Sequence, residues 1–371
     1  ETTFRILPME SSSRTERNKT LEQSLKSTAN QSVEQLLGKL SADSFQAWYQ
    51  ERQFRRNIEN GRPYFNGPSR VPAPAKHSPS QLLQCHRKIL YRQCNAPAEE
   101  SDPEGIFWFG TRFEEDIVFP FLKHAITGPD TYVRNTMWID TTIETDAGDI
   151  QIKGATDPVI VDRDSVPILP TEVKTKSSIE HVDKPNRHHR AQVHAYLVGL
   201  SKKYDIELTE AVIIYGSRKS LEIEAFHVEF DEKFWKEVVM EWTSEHTQYR
   251  LDSDLPPASP EYDWECKFCD YKERGGKGDS SHANEGPEGF LPLFRSYPRE
   301  AVIEYLEANA GGKVTPALAH EYPEIASKWG NYNWRCTACG KSSSFDEVAW
   351  EGHEDEPPLC SECGERGIRA P

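Results

Sequence analysis

Apolar positions in the middle of the chain form short runs and period-two alternations, which predict β-strands. The segment from Val166 to Lys174 predicts one strand, and the segment from Asp149 to Asp162 predicts two strands around a turn at Gly154. The acidic residue Asp157 directly precedes the apolar run of the second of these strands.

Helical spacing of apolar residues predicts two helices around these strands. The first runs from Glu104 to Ile126, and Pro120 is expected to kink it because proline removes a backbone donor. The second runs from Arg187 to Leu200. The predicted buried face of the first helix carries Phe113, Ile117, Val118, Phe121 and Leu122. Together the elements predict an α/β fold with a mixed sheet flanked by helices.

Composition divides the rest of the chain into flanking segments. Residues 1–30 are polar and predicted to be disordered, and 31–77 predict a helical extension followed by a Pro-rich connection. The core is assigned to 78–272 and a Gly-, Ser- and Glu-containing linker to 273–295. Residues 296–371 predict a short helix, Arg299 to Ala310, and a cysteine-bearing tail. The apolar positions of the helical extension are Val33, Leu36, Leu37, Leu40, Phe45 and Trp48.

Three carboxylates and one lysine fall within or beside these core elements. Glu114 lies on the first helix, Asp157 precedes a strand and Glu172 ends another. Lys174 shares the face of Glu172 because strand side chains alternate with period two. Any one carboxylate in a chain with 60 acidic residues is more often a solvated surface charge, so only the combination is informative. It predicts a Mg²⁺ or Mn²⁺ site, to which the Val173 carbonyl can add a ligand.

Gln192 and Tyr196 lie four residues apart on the second helix and therefore share one face. Two interpretations are open for this pair. It can contribute to binding at the active site, beside a helix N-terminus suited to a phosphate. It can also be a buried glutamine and tyrosine that pack the helix on the sheet.

These residues form four motifs in a fixed order along the chain. The motifs are Gly110-x3-Glu114-Glu115, Gly154-x2-Asp157, Glu172-x-Lys174 and Gln192-x3-Tyr196. From about Ser78 to Tyr271 the chain resembles the PD-(D/E)XK nuclease superfamily, in particular the RecB-like branch that includes CRISPR-associated iron-sulfur exonucleases. In that branch the position of Glu114 is usually histidine.

The resemblance implies a restriction-endonuclease-like fold and metal-assisted hydrolysis of DNA phosphodiesters. Glu114, Asp157 and Glu172 would hold the metal, Lys174 would orient or deprotonate the attacking water, and Gln192 with Tyr196 would position the strand. Single-stranded DNA ends are the implied substrate. CRISPR adaptation, DNA repair and another defence function are all open as the pathway. A non-catalytic DNA-binding scaffold and a restriction-type endonuclease are the alternatives; an intact Glu172-x-Lys174 disfavours the scaffold.

Four cysteines bracket the predicted core, two before the first motif and two after the last. In the resembled iron-sulfur nucleases one cysteine precedes the motifs and three follow them; Cys85, Cys266 and Cys269 match three of these, whereas Gly275 occupies the place of the last. Cys94 could supply the missing ligand to a 4Fe-4S cluster or to zinc. Buried free thiols are the alternative.

The tail carries two Cys-x2-Cys pairs separated by twenty residues, each followed by glycine. The four cysteines are Cys336, Cys339, Cys360 and Cys363. This spacing predicts a zinc ribbon with one tetrahedral Zn²⁺. Either a structural role for this metal or an added nucleic-acid or protein contact is compatible with the sequence.

Charge and hydropathy limit the function classes. The formal charge of −16 argues against general electrostatic capture of DNA, so a DNA-binding protein of this composition needs a local basic surface. The candidate basic segments are 52–62, 87–92 and 187–190. The sequence contains no apolar run near the length that spans a bilayer and no signal-peptide core at its start, so a cytoplasmic location is expected.

Overall fold

A computed structural model describes most of the chain beyond residue 32. The described residues are 33–59, 71–99, 104–145, 147–278, 286–354, 356–366 and 368–369. The prediction of disorder for residues 1–30 lies outside them. Contacts divide the chain into two compact units, 1–66 and 67–371.

The described part of the first unit consists of helices α1 (Val33–Lys39) and α2 (Ala42–Glu59). Helices are therefore found in the predicted helical extension. Five side chains of the predicted apolar set are exposed, and the Phe45 and Trp48 rings lie 5.9 Å apart. The exposed residues of the predicted apolar set are Val33, Leu37, Leu40, Phe45 and Trp48.

A five-stranded mixed sheet forms the centre of the second unit. Its strand order is β2-β5-β6-β7-β8, in which β6 and β7 are parallel and the other neighbours antiparallel. The strands are β2 (Thr131–Arg134), β5 (Val159–Asp162), β6 (Pro167–Lys176), β7 (Glu210–Ser217) and β8 (Ile223–Glu229). The parallel β6–β7 pair needs a crossover, which helix α5 (Arg187–Tyr204) provides. The strand predicted from Val166 to Lys174 and the helix predicted from Arg187 to Leu200 are thus confirmed. The helix extends four residues beyond Leu200.

A three-stranded sheet with the order β1-β4-β3 lies beside this centre. Its strands are β1 (Lys76–His77), β3 (Trp138–Thr145) and β4 (Gly148–Ala155). The two strands predicted between Asp149 and Asp162 are present, but the chain turns after Ala155 rather than at Gly154, which pairs with Ile139 inside β4. A Cβ at Gly154 would lie 2.7 Å from Cδ of Pro79, so glycine permits this close approach.

Helices cover both faces of the five-stranded sheet. Helix α3 (His86–Gln93) precedes α4 (Glu104–Arg112), and helix α6 (Glu241–Asp252) follows the sheet. Alternating side chains of the strands divide between two apolar clusters. Ile213 and Tyr215 join a cluster with α5, whereas Val173 and Ile214 join one with Phe113. The α/β fold with a mixed sheet flanked by helices is confirmed.

The predicted helix 104–126 departs from a regular α-helix. After α4 it continues as two π-helical segments, Phe113–Val118 and Leu122–Ile126, joined by a short α segment that contains Pro120. Wider turns shift the phase of the side chains. Phe113, Val118 and Leu122 are buried as predicted. Because of the shifted phase, Ile117 and Phe121 are instead 48% and 41% exposed, so their predicted burial was wrong.

The C-terminal part contains three helices and a small sheet. The elements are α7 (Arg299–Ala308), α8 (Pro316–Glu321), α9 (Pro323–Trp329), β9 (Trp334–Cys336), β10 (Ser342–Ser343) and β11 (Ile368–Arg369). The predicted helix from Arg299 is present and ends two residues early.

Buried Arg274 donates a hydrogen bond to the Gly286 carbonyl at 2.8 Å and another to the Gly289 carbonyl. Among the described residues, no helix is long and apolar enough to cross a membrane.

Candidate metal centre and cysteine sites

Strand β6 brings a fully buried carboxylate and a lysine to one face of the sheet. Glu172 has no exposed surface, and its Oε1 forms an ion pair with the Lys174 ammonium. The intervening Val173 points the other way into the apolar cluster with Phe113, as the alternation predicts. The register of the parallel pair places Lys174 beside Tyr215 of β7.

Helix α5 holds the second oxygen of this carboxylate. The Tyr196 hydroxyl donates to Glu172 Oε2 at 2.8 Å, and Gln192 Nε2 donates to the Tyr196 oxygen at 2.7 Å. Both helix residues are buried. Gln192 and Tyr196 therefore share a face, as their spacing predicts, and together they orient Glu172.

Asp157 reaches the same strand from the turn between β4 and β5. Its Oδ2 accepts a hydrogen bond from the Val173 N–H at 2.8 Å. The preceding Thr156 fixes the turn, because its hydroxyl accepts from the Met137 N–H at 3.0 Å and donates to the Asp157 carbonyl at 2.7 Å. The Gly-x2-Asp motif thus delivers a carboxylate to β6.

Glu114 approaches from the first π-helical segment. Its neighbour Glu115 forms an ion pair with Arg112, and Asp116 lies 3.2 Å from the same guanidinium. The charges that act most strongly on Glu114 are instead Asp157 and Glu172, followed by Lys174. Glu114 therefore interacts electrostatically with the acidic residues Asp157 and Glu172.

Burial and mutual repulsion make these carboxyl groups weak acids. Burial, the charge of Asp157 and the charge of Glu172 raise the pKa of Glu114 to about 8. Burial and Asp157 raise the pKa of Glu172 to about 7 against the opposing effect of Lys174, and burial raises the pKa of Asp157. Burial alone would lower the pKa of Lys174, but the three carboxylates raise it. Lys174 is therefore a cation at neutral pH.

The donor set fits a hard divalent cation. Ionisation of all three carboxyl groups beside one ammonium would leave net negative charge in a buried place, which a divalent cation would offset, and Mg²⁺ and Mn²⁺ prefer oxygen ligands. The ligand oxygens of Glu114, Asp157 and Glu172 do not all lie within 4.8 Å of one another in the described structure. These residues would have to close around an ion or contact it through water. The Val173 carbonyl stays a predicted ligand.

Three of the four core cysteines line one small cavity. Cys85, Cys266 and Cys269 surround a space of about 30 Å³ together with Arg87 and Lys88. Burial raises the pKa of the Cys269 thiol to about 11. The predicted clamp thus brings together residues that are more than 180 positions apart in the sequence.

Cys94 is not among the residues that line this cavity. It caps the C-terminal end of α3 and packs against an apolar cluster that contains Tyr91 and Tyr271. Among the described residues, the four core sulfurs are not a group within 4.8 Å of one another. The sulfurs of Cys85, Cys266 and Cys269 do not form such a group either. The assignment of Cys94 as the fourth ligand stays a prediction.

The four tail cysteines do form a compact cluster. The Cys336 and Cys363 sulfurs lie 3.6 Å apart, as do those of Cys339 and Cys360. Zn–S bonds of about 2.3 Å in a tetrahedron place neighbouring sulfurs about 3.8 Å apart, so the spacing fits one zinc ion. Backbone N–H groups of Cys363 and Glu362 lower the pKa of the Cys360 thiol to about 6, which favours the metal-binding thiolate.

A second group of polar residues lies beside the centre, and the sequence analysis named only those of its members that belong to the segment 187–190. Lys176 donates to the Asn186 side chain at 3.1 Å and lies 4.5 Å from the centre of the Tyr215 ring. His189 contacts the Tyr215 hydroxyl at 2.6 Å. Burial and the charges of Lys174 and Lys176 lower the pKa of His188 to about 4. Period-two alternation from Lys174 could have identified Lys176.

Two further sets of potential ligands lie away from this centre. Glu210, His227 and Glu229 form an exposed group whose ligand atoms lie within 4.8 Å of one another on β7 and β8. Buried His86 and His246 are stacked, with their Nδ1 atoms 3.2 Å apart. Neither was predicted, because only strand pairing or folding brings these residues together.

Comparisons with known proteins give no family. No family model matches the chain, and no curated protein matches it. A crystal structure of SSO0001 is 16% identical, with 61% of this chain and 95% of that chain covered and a TM-score of 0.40. A crystal structure of Scheffersomyces stipitis Rai1 is 12% identical, with 42% and 47% covered and a TM-score of 0.22. Similarity this weak supports no argument about function.

Proposed function

We propose that the chain is a metal-dependent deoxyribonuclease that hydrolyses phosphodiester bonds. The observation that carries this proposal is the arrangement at strand β6, where the buried Glu172 forms an ion pair with Lys174 and Asp157 accepts a hydrogen bond from the Val173 N–H. Such a site gains stability from a divalent cation, and phosphodiester hydrolysis is chemistry that a cation in an oxygen site supports.

Each residue has a role that follows from its surroundings. Glu114, Asp157 and Glu172 would hold Mg²⁺ or Mn²⁺, which when bound polarises a phosphate oxygen and acidifies water. Lys174 is charged at neutral pH, so it suits stabilisation of negative charge on the phosphate better than removal of a proton from water. Tyr196, with a pKa raised by burial, stays protonated and orients Glu172.

The finer parts of the proposal rest on the resemblance of the four motifs. Single-stranded DNA ends are the proposed substrate, and repair or CRISPR adaptation the proposed pathway. A 4Fe-4S cluster or zinc is the proposed occupant of the core cysteine site, where Arg87 and Lys88 would offset the negative charge of a thiolate-bound centre.

End-labelled single- and double-stranded DNA, linear and circular, incubated with Mg²⁺ or Mn²⁺ tests the proposal. The wild-type protein should cleave linear single strands, and Glu172→Gln should abolish cleavage while preserving side-chain volume. Cleavage of circles would favour an endonuclease. Binding of DNA without cleavage under any of these conditions would contradict a nuclease and support the scaffold alternative.

A further inference from the structure

Exposed aromatic rings lie in the segment that leads to the core cysteine site. Tyr262 and Trp264 are 39% and 52% exposed, and their rings stack with centroids 5.9 Å apart and planes 18° apart. Trp264 belongs to a short 3-10 helix, Asp263–Phe268, whose last residue is 74% exposed. Large rings of this kind are ordinarily buried, so a stacked pair in solvent indicates a surface for a planar ligand.

The residue before the stacked pair lines a cavity that the start of helix α5 also lines. Glu261, the neighbour of Tyr262, lines one cavity of about 490 Å³ together with Arg187, which begins helix α5. Tyr215 is the register partner of Lys174. The Tyr215 hydroxyl accepts a hydrogen bond from the Asn186 N–H at 3.1 Å, and Arg187 directly follows Asn186. Tyr215 therefore connects the metal centre to the start of helix α5, which borders the cavity beside Glu261.

Charge around the pair favours stacking over phosphate contacts as the source of binding. Arg187 is the cation that acts on Tyr262, and Lys88 acts on Glu265 in the same short helix. Glu261, Asp263 and Glu265 belong to the same segment. A few cations among acidic residues can guide a nucleic-acid backbone but cannot supply most of its affinity, whereas the stacking of a base on an aromatic ring needs no cation.

We propose that Tyr262 and Trp264 form a stacking platform that holds unpaired bases of a strand whose backbone enters the metal centre past Arg187. The proposal rests on the nuclease function proposed above and adds the residues that make it select single strands. Paired bases present only their edges in duplex DNA, so a platform of rings cannot engage them.

Binding of a fluorescein-labelled oligothymidylate and of a labelled duplex, measured by anisotropy with Ca²⁺ in place of Mg²⁺, tests the platform. Trp264→Ala should weaken binding of the single strand on the order of tenfold and leave duplex binding unchanged. Trp264→Phe should retain most of the affinity because it keeps a ring. Trp138→Ala is the matched control, since Trp138 is 60% exposed on strand β3 of the other sheet.

Equal affinity of Trp264→Ala and the wild type for the oligothymidylate would overturn the platform, as would equal losses for single strand and duplex. Quenching of tryptophan fluorescence by unlabelled oligothymidylate provides a second measurement, and Trp264→Phe should reduce it. Cleavage by the wild type and by Glu172→Gln is assayed in parallel. If the wild type does not cleave DNA but Trp264→Ala still weakens binding of the single strand, the nuclease function is rejected and the platform is retained.

Discussion

Glu172 is the residue on which the candidate metal centre depends. One of its oxygens faces Lys174 and the other accepts from Tyr196, while Asp157 binds the backbone of the next residue. A carboxylate fixed from two sides is held at one orientation, and this preorganisation is what a metal site requires.

Substitution of the site residues should separate metal binding from charge stabilisation. Asp157→Ala and Glu172→Ala should each lower DNA cleavage by on the order of 10²-fold or more, because they remove a ligand. Lys174→Ala should lower cleavage similarly with a smaller effect on Mn²⁺ affinity, measured by calorimetry. The exposed Glu224→Gln on β8 is the control. Unchanged cleavage in all three site variants would refute the assignment.

Buried histidines make the stability of the fold sensitive to acid. Burial lowers the pKa of His77 to about 4 and that of His246 to about 2, so both are neutral in the folded chain. The unfolded chain binds protons below about pH 6.5, so the stability from the neutral histidines is lost as pH falls below that value. The expected loss at pH 5.5 is on the order of 1 kcal/mol per histidine.

Urea unfolding at pH 7.5 and 5.5 measures this acid dependence. His77→Gln should reduce the difference between the two pH values, because it removes one group that protonates only on unfolding. His227→Gln is the control, since His227 is more than half exposed on β8. If the free energy of unfolding depends on pH identically in the wild type and in His77→Gln, His77 does not contribute to the acid sensitivity.

At the scale of elements, the sequence predicts what depends on local periodicity and misses what depends on packing. The strand Pro167–Lys176 and the helix Arg187–Tyr204 follow from alternation and helical spacing. The π-helical turns at Phe113–Val118 do not, because an i to i+5 ladder leaves no mark in apolar periodicity. Long-range neighbours such as His86 and His246 are equally invisible before folding.

The π-helical segment depends on a glycine in a neighbouring strand. A Cβ at Gly216 would lie 2.1 Å from the Phe113 ring, which precedes Glu114. Gly216→Ala should therefore displace this segment and lower both thermal stability and Mn²⁺ affinity. Phe113→Leu in the same chain should restore part of both, because the smaller side chain frees the space. Gly128→Ala, which meets no atom within 4 Å, is the control.

The cysteine cavity predicts a different result for Cys85 than for Cys94. If the site binds a 4Fe-4S cluster, anaerobically purified protein should be brown and contain iron, and Cys85→Ala should remove both. Cys94→Ala should retain the metal, because Cys94 lies outside the lining of the cavity. Loss of metal in Cys94→Ala would restore the assignment made from the sequence. If the wild-type protein is colourless and contains zinc at this site, the metal of the cysteine cavity is zinc and not iron.

At the scale of the whole molecule, charge is distributed unevenly between sites. The chain carries a formal charge of −16, yet Arg87 and Lys88 line the cysteine cavity, and Arg187 begins the helix that carries Gln192 and Tyr196. Two of the three basic segments predicted from the sequence thus lie beside candidate sites. These basic residues would attract DNA only near the candidate sites. Salt would screen the repulsion of DNA by the remaining acidic surface.

The four tail cysteines lie next to a small apolar cluster in the C-terminal part of the chain. Trp334 is fully buried with Leu293, Cys336 and Cys360, in a cluster too small to be stable without another contribution. Cys339→Ser should release one zinc ion per chain, measured by mass spectrometry, and expose Trp334 to solvent, measured by its emission. Metal binding energy is folding energy in such modules, so an early thermal transition should appear.

The neighbouring Ser361→Ala is the control for this substitution, because Ser361 lies between the two cysteines of the second pair without being a zinc ligand. The acidic residues of the ribbon segment, including Glu362 and Glu365, disfavour phosphate contacts there. Cys339→Ser should consequently leave binding of the oligothymidylate unchanged. Weakened binding without loss of the core fold would show that the ribbon contacts DNA, and retention of zinc in Cys339→Ser would contradict the four-cysteine site.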